Sequence, residues 1–191
     1  MKAILFGIAI AALTSTACTE NSTQSKQADN SNIAKTNTTV TNEEVKTASA
    51  NEVVTHYLHI KNALANDNPK EAATAGKAVT EALQKLDAAT LTADQKKVFD
   101  DVRDDMKEHA EHIGNNGDKI EHQREHFDML SNDMYDLVKA LGSDQKLYQD
   151  HCPMFNDNKG ANWLSEVKEI KNPYLGKKMP TCGTVKEEIN K

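Results

Sequence analysis

Thr92-Ala93-Asp94-Gln95, then Phe99, Val102, Met106, His109 and Ile113, and past Gly114-Asn115-Asn116-Gly117 the series Ile120, Gln123, Phe127, Leu130, Met134, Leu137 and Leu141, form the stretch that decides the fold. A Thr whose hydroxyl accepts from the backbone N–H three residues on, with a Gln there to reciprocate, is a capping box that opens a helix. The positions that follow recur at steps of three and four, which sets them on one stripe of a 3.6-residue helix. Gly114 to Gly117 breaks this helix, Asp118 to Glu121 caps the next, and Gly142 stops it. Two such helices joined by a short loop pack antiparallel.

The same reading extends upstream. Val53, Tyr57, Ile60 and Leu64 form one stripe that ends at Asn66-Asp67. Asn68-Pro69-Lys70-Glu71 then supplies an N-cap, a Pro at the first helical position and an early acid, ahead of Ala72, Gly76, Val79, Leu83 and Leu86. The small residues of this stripe allow close packing. The expected class is therefore all-α: an up-down four-helix bundle over residues 51–142. No run alternates long enough to demand a sheet. Residues 143–191 are expected to pack across the bundle as mostly irregular structure of the same domain, anchored by Trp163 and Tyr174.

The N-terminus bears on location. Lys2, the apolar run Ala3 to Leu13 and the small residues Thr14-Ser15-Thr16-Ala17 read as a secretory signal peptide over residues 1–17, too short to span a bilayer. Cys18 stands where a bacterial lipoprotein carries its acylated cysteine, so lipidation at Cys18 is expected. The alternative is plain secretion into the soluble periplasm after cleavage near Ala17. Residues 18–50, rich in Ser, Thr, Asn, Gln and Lys, then serve as a flexible, lipid-anchored tether. The expected workplace is the periplasmic face of a bacterial membrane. A formal charge of −6 argues against nucleic acid as a partner.

The chemistry-bearing residues fall in two groups. Cys152-Pro153-Met154 and Met179-Pro180-Thr181-Cys182 each place a thiol and a thioether beside a rigid proline, the ligand types that soft cations prefer. Six histidines lie in the helices as pairs: His56 and His59, His109 and His112, His122 and His126, spacings that put each pair on one side of its helix. His109 falls on the apolar stripe one turn after Met106, where a buried imidazole needs a partner, and His126 flanks the facing stripe. His109, His112 and His126 are therefore candidate ligands beside Cys152, Met154, Met179 and Cys182. His56, His59 and His122 read as half-exposed flank residues. The competing reading of the thiols is a Cys152–Cys182 disulfide that staples a structural or interaction domain. A nucleophilic Cys152 activated by His151 or His126 lacks an oxyanion site and an orienting third group, so no enzyme is expected.

Tyr57-Leu58-His59-Ile60-Lys61-Asn62-Ala63-Leu64, Gln123-Arg124-Glu125-His126-Phe127 with Leu130-Ser131, Cys152-Pro153-Met154, Trp163-Leu164-Ser165, Asn172-Pro173-Tyr174 and Met179 to Gly183 resemble a bacterial domain of unknown function, family 3347. The resemblance covers about residues 50 to 188. It implies an exported protein or lipoprotein, or a module attached to periplasmic adaptor subunits of heavy-metal efflux pumps, and hence metal handling. Cys152-Pro153-Met154 is also similar to the Tyr-x-Cys-Pro-Met-His copper segment of those adaptors, except that Phe155 replaces the histidine and His151 precedes the cysteine. The expectation is a copper-type heavy-metal-binding lipoprotein domain for homeostasis or efflux. Its cation would be Cu(I) or a related soft ion, with zinc as a further possibility, and no organic cofactor. Its partners would be the membrane, through the lipid, and a heavy-metal efflux system.

Overall fold

The computed structural model describes residues 48–190, so the expected signal peptide, Cys18 and nearly all of the tether lie outside the described residues. Four long helices come first: α1 (Ala48–Ala65), α2 (Pro69–Lys85), α3 (Ala93–Asn115) and α4 (Ile120–Leu141). Their starts follow from local chemistry. Asn68 accepts from the Glu71 amide with Pro69 at the first helical position, and Thr92 and Gln95 form the full reciprocal capping box. The start of α4 differs from the expectation, because Lys119 is its N-cap and no side chain caps it.

The helices pack in sequence, α1 on α2, α2 on α3 and α3 on α4, and α4 also meets α1. Val53, Tyr57, Ile60, Leu64, Val79, Phe99, Met106, Ile113, Phe127, Leu130, Met134 and Leu137 are all buried, so the stripes read from the sequence do face the interior. Gly76 lets α2 and α3 touch backbone to backbone. A Cβ there would stand 2.8 Å from the Ala110 carbonyl oxygen and 2.9 Å from the Gly114 nitrogen. Gly114 thus works inside α3 as part of this contact rather than as a breaker. Gln123, wholly buried, donates to the carbonyls of Pro69 (2.9 Å) and Ile113 (3.0 Å), tying the start of α2 and the end of α3 to α4.

The C-terminal part corrects the all-α expectation. It holds three strands, β1 (Leu147–Cys152), β2 (Ala161–Ser165) and β3 (Thr184–Ile189), in one antiparallel sheet of order β2-β1-β3. Trp163 and Leu164 are neighbours in β2 and both are buried, so both faces of this strand are covered and the two-residue alternation is erased. Along β3 the pairing skips Lys186, since Gln149 opposes Glu187 and Asp150 opposes Val185, which breaks the register. The chain between β2 and β3 is irregular, as expected, and it is pinned by Asn172. Its Oδ1 accepts from the Tyr174 and Leu175 amides and its Nδ2 donates to the Cys182 carbonyl at 2.6 Å.

Two clamps dock this part on the helices. Buried Arg124 donates to the Pro173 carbonyl (2.9 Å) and the Leu64 carbonyl (3.2 Å), and it pairs with Asp67 at 2.6 Å. Tyr57 shares a hydrogen bond with Ser131 (2.8 Å) and accepts from the Leu164 amide at 2.9 Å. Trp163 is the buried anchor expected of it, edge-on to Tyr174 with ring centres 5.8 Å apart.

Candidate metal centre

The loop between α3 and α4 is four residues long, so the last turns of α3 face the first turns of α4. His109 and His112 sit on one side of α3, and His122 and His126 on one side of α4. The antiparallel packing sets these pairs against each other. His112, His122 and His126 each offer a ring nitrogen, and the three atoms all lie within 4.8 Å of one another. The rings of His112 and His126 stack at 4.1 Å, and His122 stands edge-on to His126 at 4.5 Å. His109 Nδ1 lies 3.2 Å from His126 Nδ1. His122 Nδ1 lies 3.5 Å from the Glu125 carboxylate.

Electrostatics keep the centre of this group uncharged. Desolvation, helped by His112, His122 and His109, pulls the His126 pKa down to about 4. His109 is also lowered, again chiefly by desolvation and against the pull of Glu108 and Asp105. A neutral imidazole has a free lone pair, the form in which histidine ligates a metal. Four imidazoles crowded at ring-contact distance, two of them held neutral, are a donor set for a borderline transition-metal cation.

The thiols form a second, separate locus. Cys152, buried at the end of β1, and half-buried Cys182 are free thiols whose sulfurs are 3.2 Å apart. Burial and the neighbouring Cys152 push the Cys182 thiol up, while the Met154 amide pulls the other way. Met154 is exposed and Met179 half-buried. Among the described residues, the group of three or more His, Cys or carboxylate side chains with converging donor atoms contains neither cysteine. Of the expected ligands, then, His112 and His126 come together with each other, His109 touches only the edge of the group, and Cys152 meets Cys182. His122, read from the sequence as a flank residue, is the member of the converging group that reading missed. Its i,i+4 spacing to His126 was the available signal, and the partner pair across the loop gives that signal its meaning. His151, one strand position before Cys152, is held by Asn162 (Nδ1 to Oδ1, 2.9 Å).

One buried polar group stands apart from both loci. Asp150 in β1 is fully buried and neither carboxylate oxygen has a hydrogen-bond partner among the described residues. Desolvation raises its pKa to about 7, with Lys61 opposing the rise. Lys61, also fully buried, is paired with Glu166 at 2.8 Å.

The described part of the chain is thus a predominantly helical domain carrying a small antiparallel sheet, with imidazoles gathered between two helices and a thiol pair where the end of β1 meets the irregular segment. Residues 53–146 match a family model described as "Protein of unknown function (DUF3347)". The match supports that domain family for the four helices and ends before the sheet, so the Cys, Trp and Met motifs lie beyond it. No curated protein and no solved structure matches the chain. Among the described residues no helix is long and apolar enough to cross a membrane.

Proposed function

We propose that this chain is a transition-metal-binding domain serving metal homeostasis or efflux, built as an up-down bundle of four helices with His112, His122 and His126 as its ligands between α3 and α4. The carrying observation is the convergence of three ring nitrogens within 4.8 Å, two from one helix and one from its neighbour. An all-imidazole set shifts the expected cation from soft Cu(I) toward a borderline divalent ion, with Cu(II) ahead of Zn(II) by the usual order of affinities. Binding rather than catalysis follows from the absence of any role for a nucleophile or a general base in this reading. Export on a Cys18 lipid anchor to the periplasmic face of the membrane, with handover to a heavy-metal efflux system, completes the proposal.

Competitive titration of the mature protein with Cu(II) and Zn(II) tests it. One equivalent should bind with sub-micromolar affinity, and His126→Ala should lower that affinity at least a hundredfold. Equal affinity in wild type and variant contradicts the ligand assignment.

A second reading applies to the thiols. The 3.2 Å separation of Cys152 and Cys182 favours a disulfide in an oxidising compartment, which would fasten the end of β1 to the irregular segment. On that reading Met154 and Met179 are packing and surface residues. Free-thiol counts on protein exported to the periplasm decide it: zero thiols at positions 152 and 182 fit the staple, two fit a soft-cation site.

A further inference from the structure

We infer that His109 acts as a positioning residue, holding His126 in the tautomer and ring orientation that leave Nε2 free for the metal. The inference rests on the centre proposed above. His126 has two ring nitrogens, and its Nδ1 is already engaged with His109 Nδ1 at 3.2 Å. The other α4 histidine, His122, has only a looser approach of its Nδ1 to exposed Glu125 Oε2, at 3.5 Å. On His126, therefore, Nδ1 is engaged with a partner outside the converging triad, and Nε2 is the atom left to ligate. His109 itself does not belong to that triad.

The proton inventory assigns the direction of the contact. A neutral imidazole carries one N–H, and a metal takes the nitrogen without it. When His126 ligates through Nε2, its proton resides on Nδ1 and is donated to His109 Nδ1, which accepts and keeps its own proton on Nε2. The opposite direction would place a proton on His126 Nε2 and block the site. Partners of this kind fix the tautomer and the ring plane of a ligating histidine, and their removal typically costs 10- to 100-fold in metal affinity. His109 is suited to the task because it lies on α3 three residues before His112, so one helix supplies both a ligand and the support for a ligand across the gap. The stripe position of His109, which suits it to ligation by spacing alone, brings it instead to His126 Nδ1.

Two variants separate positioning from ligation and from general packing. His109→Leu fills a similar space without an acceptor, whereas His109→Asn sets a carbonyl oxygen near the place of Nδ1. Cu(II) affinity is measured by competition on the full-length mature protein, and the number of imidazoles around the metal is counted by X-ray absorption. The expected result is a 10- to 100-fold loss in His109→Leu with the imidazole count unchanged, and recovery to within about fivefold of wild type in His109→Asn. Wild-type affinity in His109→Leu, an equal loss in both variants, or one imidazole fewer in the shell overturns the inference while leaving the metal centre standing. Failure of the wild type to bind Cu(II) overturns the centre and this inference together.

Discussion

The histidine cluster and the thiol pair solve one problem, bringing donor atoms together, by opposite routes. The imidazoles lie within 18 positions of one another on two helices, and regular helical spacing plus a four-residue turn suffices to gather them. The thiols are 30 residues apart and meet only because β1 ends beside a loop that Asn172 and Arg124 hold in place. A locally built site tolerates change in distant chain, while a site built over long range depends on every element between its ends. The two regions also differ in chemistry: imidazoles in one, where desolvation pulls His126 down to about 4, and thiols in the other, where burial and the neighbouring Cys152 push Cys182 up.

The largest expected effect breaks the comparison directly. Replacing His112, His122 and His126 together by Ala should reduce divalent-metal affinity by at least a thousandfold, about 4 kcal/mol, whereas Cys152→Ser with Cys182→Ser should leave it within about threefold. Isothermal titration under reducing conditions measures both. The reverse pattern would move the centre to the sheet.

Next in size is stability. In oxidised protein, the Cys152→Ser, Cys182→Ser variant should lose about 3–4 kcal/mol by the loop-entropy estimate for a ring of roughly thirty residues. Denaturant unfolding with and without reductant reads this, and the loss should vanish when wild type is reduced. The histidine triple variant should show no such dependence on reductant.

Asp150 sharpens the contrast through pH. Its pKa in the folded protein is about 7, above the ordinary unfolded value of about 3.9, so the native state holds a proton that the unfolded chain has released. The contribution of Asp150 to stability should be greatest below about pH 4, fall as pH rises toward 7, and level off above it, while Asp67 and Glu166, whose carboxyls are held low, act in the opposite sense. Asp150→Asn should remove this fall and be more stable than wild type by about 1–3 kcal/mol at pH 8, with the advantage shrinking toward pH 4. Thermal melts across the range check it. A difference between wild type and Asp150→Asn that does not change with pH contradicts the assignment, in which Lys61 only partly offsets burial.

The smallest effect belongs to Met154, exposed at 48%. Met154→Leu should change stability by less than about 0.5 kcal/mol and leave divalent-metal affinity unaltered. A marked loss of affinity would return the thioethers to the ligand shell.

Much of the helical part was legible because its rules are local. The Thr92–Gln95 capping box, the Asn68-Pro69 start and the spacing from Phe99 to Leu141 each carry their own signal within a few residues. The sheet was not, because no strand carries a run of alternating apolar residues: β3 alternates in burial, but its sequence is Thr184-Val185-Lys186-Glu187-Glu188-Ile189. Both faces of β2 are covered, and β3 slips at Lys186. Gly114 misled for a related reason: a glycine read as a break serves instead where α2 and α3 nearly touch. In the site, spacing named His109, His112 and His126 as candidates but could not pair them across helices. Only the facing of α3 and α4 brings His122 into the converging group and sets His109 against His126. Arg124 could not be assigned from sequence, since its partners at Leu64, Asp67 and Pro173 are distant in the chain.

The most direct test of the central claim is X-ray absorption at the metal edge of Cu(II)-loaded wild-type protein. The account predicts a shell of nitrogen and oxygen with three imidazoles and no sulfur, reduced by one imidazole in His122→Ala. A shell containing one or two sulfurs, unchanged by His122→Ala and lost in Cys152→Ser, would contradict it.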